Sequence, residues 1–109
     1  MRRTTIIESD KQGVFDILRK VAEMLGFDVL YADRLHLEIE AMKPSKLGKK
    51  KHLSLRIIEY KNHELEVNIE ARNMGLEIKR NKRNDLIEAQ IERGMKQFLR
   101  GDRANFSAA

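Results

Sequence analysis

The spacing of apolar residues changes once along this chain, at Gly26, and that change limits the possible folds more than any other feature. Before it, Val14, Ile17, Leu18, Val21 and Leu25 recur at helical spacing, with Phe15 and Ala22 widening the stripe. Ser9, with Gln12 three residues on, has the form of a capping box opening that helix, and Gly26 suits the left-handed residue that closes it. After Gly26 the apolar residues alternate. Phe27, Val29 and Tyr31 are followed by Leu35, Leu37, Ile39 and Ala41, then by Leu53, Leu55 and Ile57. Leu65, Val67, Ile69 and Ala71 come next, and Leu76 and Ile78 last. Neighbouring side chains of a strand point to opposite faces, so a period of two predicts a meander of strands with one apolar side.

A short β-branched run, Thr4–Glu8, predicts one more strand before the first helix. Helical spacing returns from about Asn84 or Asp85 to Leu99, with Ile87, Ile91, Met95, Phe98 and Leu99 in the stripe. Gly94 falls on the same face. A glycine inside a helix costs ~1 kcal/mol against alanine, so a close approach to the sheet is expected there. The fold class predicted is α+β: an antiparallel meander with two helices on one face, in the order strand, helix, four or five strands, helix.

The strand registers can be tested against one another. If Leu47 is the midpoint of the loop between the second and third apolar runs, Leu37 faces Ile57, Ile39 faces Leu55 and Ala41 faces Leu53. The same register sets Glu38 opposite Arg56 on the outer side. A turn at Lys61, Asn62 and His63 then pairs Ile57 with Val67, Leu55 with Ile69 and Leu53 with Ala71. A further turn at Asn73 and Met74 would set Ile69 against Ile78. Every apolar row matches, and a slip of one residue would turn each row to the wrong face. Five strands after the helix would make the first strand parallel to the last if they pair, so its neighbour stays open.

The order of elements, with the run Thr5–Glu8, Val14–Leu18, Gly26–Val29, Asp33 and Leu37–Glu40, resembles the helix-grip or TATA-binding-protein-like group of α+β folds. The resemblance is one of pattern. It covers most of the chain, has no diagnostic motif and carries no functional residue, because such folds host lipid binding, DNA binding and assembly scaffolding alike.

With 109 residues, 41% of them hydrophobic, the chain can build one modest core, assigned to residues 1–99, with 100–109 as a loose tail. It has no cysteine, which excludes disulfides, thiolate metal sites and thiol nucleophiles and suits a reducing, cytoplasmic setting. The first residues carry Arg2 and Arg3 but no apolar run, so no signal peptide is expected. Nor does any window approach the ~18 apolar residues that would span a bilayer, so no membrane association is expected.

The net charge of +5 is unevenly placed. Lys43, Lys46, Lys49, Lys50 and Lys51 occur with no acid between them, in a loop from Met42 to Lys51 that also holds Pro44 and Gly48. Lys79, Arg80, Lys82 and Arg83 form a second cluster, and Arg2 and Arg3 a third. The remaining chain is therefore acidic, and the molecule is an acidic body with basic edges. The lysine loop is either a solubilising loop or a phosphate-binding edge. It lacks aromatic residues for base stacking, so it would not read sequence. The second cluster follows the last predicted strand and is expected at the opposite end of the sheet.

On the outer face the register places His36, Glu38 and Glu40, then Ser54, Arg56, Ile58 and Tyr60, then Glu64, Glu66, Asn68 and Glu70, then Glu77 and Lys79, with His52 at the loop end. Such a face repels phosphate and is expected to be a solvated polar surface. His36, Glu38 and Glu40 point the same way, but ~7 Å per two-residue step spreads them too widely for one ion, and no metal site is assigned. No nucleophile or acid–base motif stands out, and Arg100-Gly101-Asp102 is read as a chance tripeptide, so neither catalytic residues nor a cofactor are assigned. Ile58 and Tyr60 are either scattered surface residues or the centre of an interface.

Three functions remain: a non-enzymatic binding or scaffold module contacting a polyanion, most simply nucleic acid, through residues 43–51; a protein-interaction or homodimer module using the outer face; or a small-molecule binder with a pocket under the C-terminal helix.

Overall fold

Asp10, one residue after the expected Ser9, caps the first helix: its carboxylate accepts from the Gln12 and Gly13 amides at 3.4 and 3.1 Å. Two capping residues stand side by side here, and only the path of the chain chooses between them. The structure, a computed structural model, describes residues 1–7, 9–44, 50–74 and 82–101. Helix α1 spans Lys11–Met24 and closes as anticipated. Gly26 adopts a φ of 92°, the Phe27 amide donates to the Ala22 carbonyl at 3.0 Å, and the Gly26 amide donates to the Glu23 carbonyl at 3.0 Å. This is the Schellman arrangement, with Phe27 and Ala22 both buried beside it.

The remaining elements are β1 (Arg2–Ile6), β2 (Asp28–Asp33), β3 (Glu38–Pro44), β4 (Lys50–Glu59), β5 (Leu65–Met74) and α2 (Lys82–Leu99). They form one five-stranded sheet in the order β1-β5-β4-β3-β2, antiparallel throughout. The registers of β3, β4 and β5 are those derived above. Ile39 faces Leu55, Ala41 faces Leu53 and Glu38 faces Arg56. Leu53 faces Ala71, Leu55 faces Ile69 and Ile57 faces Val67. The Ile57 amide also donates to the Leu37 carbonyl at 3.0 Å. The turn at Lys61–His63 is present, with His63 in the left-handed region at φ 66° and the Tyr60 amide closing onto the Glu64 carbonyl.

Both helices lie on the apolar face, α1 against β2 and β4, α2 against β5 and β1, and they touch each other. Beneath them Phe15, Leu18, Ile39, Leu55, Ile69, Ile91 and Met95 belong to one continuous core. Gly94 is buried within α2.

Three departures matter. First, β1 begins at Arg2 rather than Thr4 and pairs antiparallel with β5, so Arg2, not Ile78, stands opposite Ile69. Leu76 and Ile78 lie outside the described residues, but the edge they were expected to cover belongs to β1. Second, the turn expected at Asn73 and Met74 is strand: β5 continues there, facing Lys51 and Lys50. Third, a bulge at Leu30 moves Tyr31 from the apolar to the outer face, opposite Glu40, and brings Ala32 opposite Ile39. Leu35, expected inside, sits 86% exposed in the turn between β2 and β3. That turn ends at Leu37, whose φ of 57° interrupts the alternation.

Candidate functional site

The length of β5 decides where the basic residues go. Because β5 runs to Met74 opposite Lys50, it ends where β3 stops and β4 starts. The described members of the two basic clusters, Lys43, Lys50 and Lys51 in the one and Arg83 in the other, therefore lie at the same end, not at opposite ends as the extra turn had implied. Lys46, Lys49, Lys79 and Arg80 lie outside the described residues, as does the side chain of Lys82. Lys43, Lys50, Lys51 and Arg83 are described, and three of them meet. Lys43, Lys51 and Arg83, with Pro44, Leu86, Ile87 and Gln90, line a cleft of about 280 Å³ between the sheet end and the first turns of α2.

The lysines differ sharply from one another. The expected loop from Met42 to Lys51 is narrower than supposed, since β3 extends to Pro44 and β4 starts at Lys50. Lys51 is only 6% exposed and points to the apolar side, in the row of Leu53, Leu55 and Ile57. Its ammonium donates to Asn84 Oδ1 at 2.8 Å and to Asn73 Oδ1, so it joins β4, β5 and α2. Lys51 is thus a structural cation at the cleft floor, not a loop residue. Its place two before Leu53 has the parity of the inner row, and that was the signal available in the sequence.

Lys43 stands directly opposite Lys51 on the same row. It donates to the Leu25 carbonyl at the end of α1, at 3.3 Å, and its ammonium lies 4.7 Å from the centre of the Phe27 ring. Two like charges facing across a strand pair repel. Here each is held by its own partners. Arg83 is exposed in the cleft wall. Lys50, next to Lys51 in sequence, is exposed and has the parity of the outer face.

The outer face is a lattice of opposite charges. Arg56 pairs with Glu38 at 3.0 Å, His52 Nε2 approaches Glu40 at 2.8 Å, and Ser54 donates to Glu40 at 3.0 Å. Arg72 pairs with Glu70 at 2.8 Å. Ile58 is half-buried opposite Glu66, and Tyr60 uses its hydroxyl to donate to Glu66 at 3.0 Å, which holds that phenol above its ordinary pKa. Glu77 and Lys79 lie outside the described residues.

His36 does not continue the row of Glu38 and Glu40. It sits in the turn, with Nδ1 2.6 Å from Asp33 Oδ2. The same oxygen accepts from the Tyr31 hydroxyl at 2.8 Å, while Asp33 Oδ1 accepts from the Leu35 and His36 amides, each at 3.0 Å. These bonds, the His36 side chain first, hold the Asp33 carboxyl far below the usual carboxylate range and raise the His36 pKa. The arrangement ties an exposed turn. Among the described residues no three His, Cys, Asp or Glu side chains could share a metal ion. No described helix is long and apolar enough to cross a membrane.

No protein-family model and no curated protein matches this sequence. The class that can be stated is that of a small single-domain α+β protein with an antiparallel sheet. Its distinguishing site is the basic cleft at one end of that sheet.

Proposed function

We propose that this chain is a non-enzymatic binding module that contacts a polyanion, most simply nucleic acid, through the basic end of its sheet. One observation supports the reading: Lys43 and Lys51 of the one basic cluster and Arg83 of the other line a single cleft at one end of the sheet. A polyanion approaching an otherwise acidic body would be steered to that end. The polar outer face, with its carboxylates paired to Arg56, His52 and Arg72, offers it little. Phosphate contact by ammonium groups alone is independent of base sequence, so the module would bind unrelated sequences alike.

The test is a salt titration of binding to a labelled duplex. Changing Lys46, Lys49 and Lys50 together to glutamine is expected to lower the slope of log affinity against log salt by ~0.9 for each lost contact, equally for unrelated sequences. Lys51 is left intact because it belongs to the core rim. The thermal transition should not move. Binding unaffected by the triple change, or absent from the unaltered protein at ~50 mM salt, would overturn the reading.

A further inference from the structure

Arg2, Glu92, Arg93, Lys96 and Arg100, with Gln97, line a second concavity of about 460 Å³, between β1 and the later turns of α2. Only Arg2 of this set belongs to a cluster visible along the sequence. The others are scattered through an amphipathic helix, and folding gathers them. Glu92 lies between two cations, 3.5 Å from Arg2 and 3.7 Å from Lys96. Arg93 and Arg100 are exposed. The cleft and this groove together are lined by seven cations and one carboxylate.

The two concavities share one ridge of α2. Arg83, Leu86, Gln90, Arg93, Gln97 and Arg100 follow one another at steps of three and four, the spacing of a single helical stripe. The first three line the cleft and the last three the groove. No carboxylate occurs on that ridge. Of the helix's acids, Glu88 is buried on the Ala71 amide, Glu92 is engaged by Arg2 and Lys96, and Asp85 stands off the ridge in the first turn. From Arg83 to Arg100 the ridge covers about 25 Å, a length along which a duplex presents roughly seven phosphates of each strand.

We infer that α2 is a track for a nucleic-acid duplex, which lies obliquely across the helix from the cleft to the groove at Arg2, Arg93, Lys96 and Arg100. The inference rests on the polyanion reading and extends it, from a contact made end-on to a contact made along the helix. Duplex is favoured over single strand because the ridge has no aromatic residue on which a base could stack. An acidic protein surface would be met equally by a compact patch. A linear array of arginines with glutamine amides between them suits the repeating backbone of a duplex.

The experiment compares three variants in the salt titration of a labelled duplex, with the single strand of the same sequence as a second probe. Arg93→Gln with Arg100→Gln is expected to weaken duplex binding and to lower the salt slope by ~1.8, two contacts at ~0.9 each. Glu92→Gln, which removes the one carboxylate of the groove, is expected to tighten it. Arg83→Gln is expected to weaken it by a single contact. If Arg83→Gln weakens binding while the Arg93 and Arg100 pair and Glu92→Gln leave it unchanged, the track is wrong and the cleft reading survives. If the unaltered protein binds no duplex, both fall. Tighter binding of the single strand than of the duplex would overturn the occupant named here.

Discussion

At Asp33 a single carboxylate organises a whole turn. It accepts from two backbone amides, one phenol and one imidazole, in the turn that ends at Leu37, a non-glycine residue held at φ 57°. Residues of that kind tolerate left-handed backbone poorly, so the carboxylate's bonds offset a local cost. The pH consequence follows from the direction of each shift. His36 binds its proton more tightly folded than unfolded. Its contribution to stability is therefore complete below the ordinary value of 6.5 and is lost as pH rises through the higher folded value. Asp33 behaves oppositely: its contribution is present above the ordinary 3.8 and is lost as pH falls through the lowered folded value. Asp33→Asn should move the NMR titration midpoint of His36 down toward the ordinary value. A midpoint unchanged by that substitution would mean that the pair does not form in solution. In the sequence His36 was read as the start of the outer strand row of Glu38 and Glu40, and the turn that joins it to Asp33 was not predicted.

Among the elements, the central strand β4 is where sequence and structure agree most closely. Leu53 and Leu55 are buried and paired on both sides, Ile57 is buried, paired with Val67 and bonded to Leu37, and the residues between them face outward. Leu55→Ala should cost ~2–5 kcal/mol, because it opens a cavity at the middle of three matched rows. Ser54→Ala, one residue away on the other face, gives up one hydrogen bond to Glu40 and should cost ~1 kcal/mol or less. Comparable losses in denaturant melts would show the faces to be reversed. The edge strands were less legible. In β2, Val29, Leu30 and Tyr31 are all apolar, so alternation cannot reveal which of them is the extra residue of a bulge. In β1, the paired residues lie 59 to 67 positions apart along the chain, from Ile6 with Leu65 to Arg2 with Ile69, and no local pattern marks a pairing of that separation.

At the scale of the whole molecule, buried polar side chains on successive turns of one face of α2 join it to the sheet. At the first, Asn84 and Asn73 both accept from Lys51. One turn on, Glu88, only 1% exposed, accepts from the Ala71 amide at 2.9 Å, just past the last residue of β5 that β1 covers. That contact satisfies a sheet edge that would otherwise present a bare donor. Asn84→Leu takes one acceptor from a buried ammonium and should cost about 1–3 kcal/mol. Adding Lys51→Met should recover part of that loss, since the buried ammonium that lost its acceptor is then gone. Strictly additive losses in the melts of the single and double variants would show that the two side chains do not act together. By itself the sequence determined the α+β class, the inner faces of the three central strands and the registers among them. Period two and an apolar row leave only one pairing that buries every member. Only the tertiary structure decided the place of β1 and the full run of β5. It also decided that Lys43 and Lys51 meet Arg83, from a cluster far along the chain, in one cleft. These depend on long-range packing, in which one strand takes an edge and the next must find another route, and no local spacing of residues records that choice.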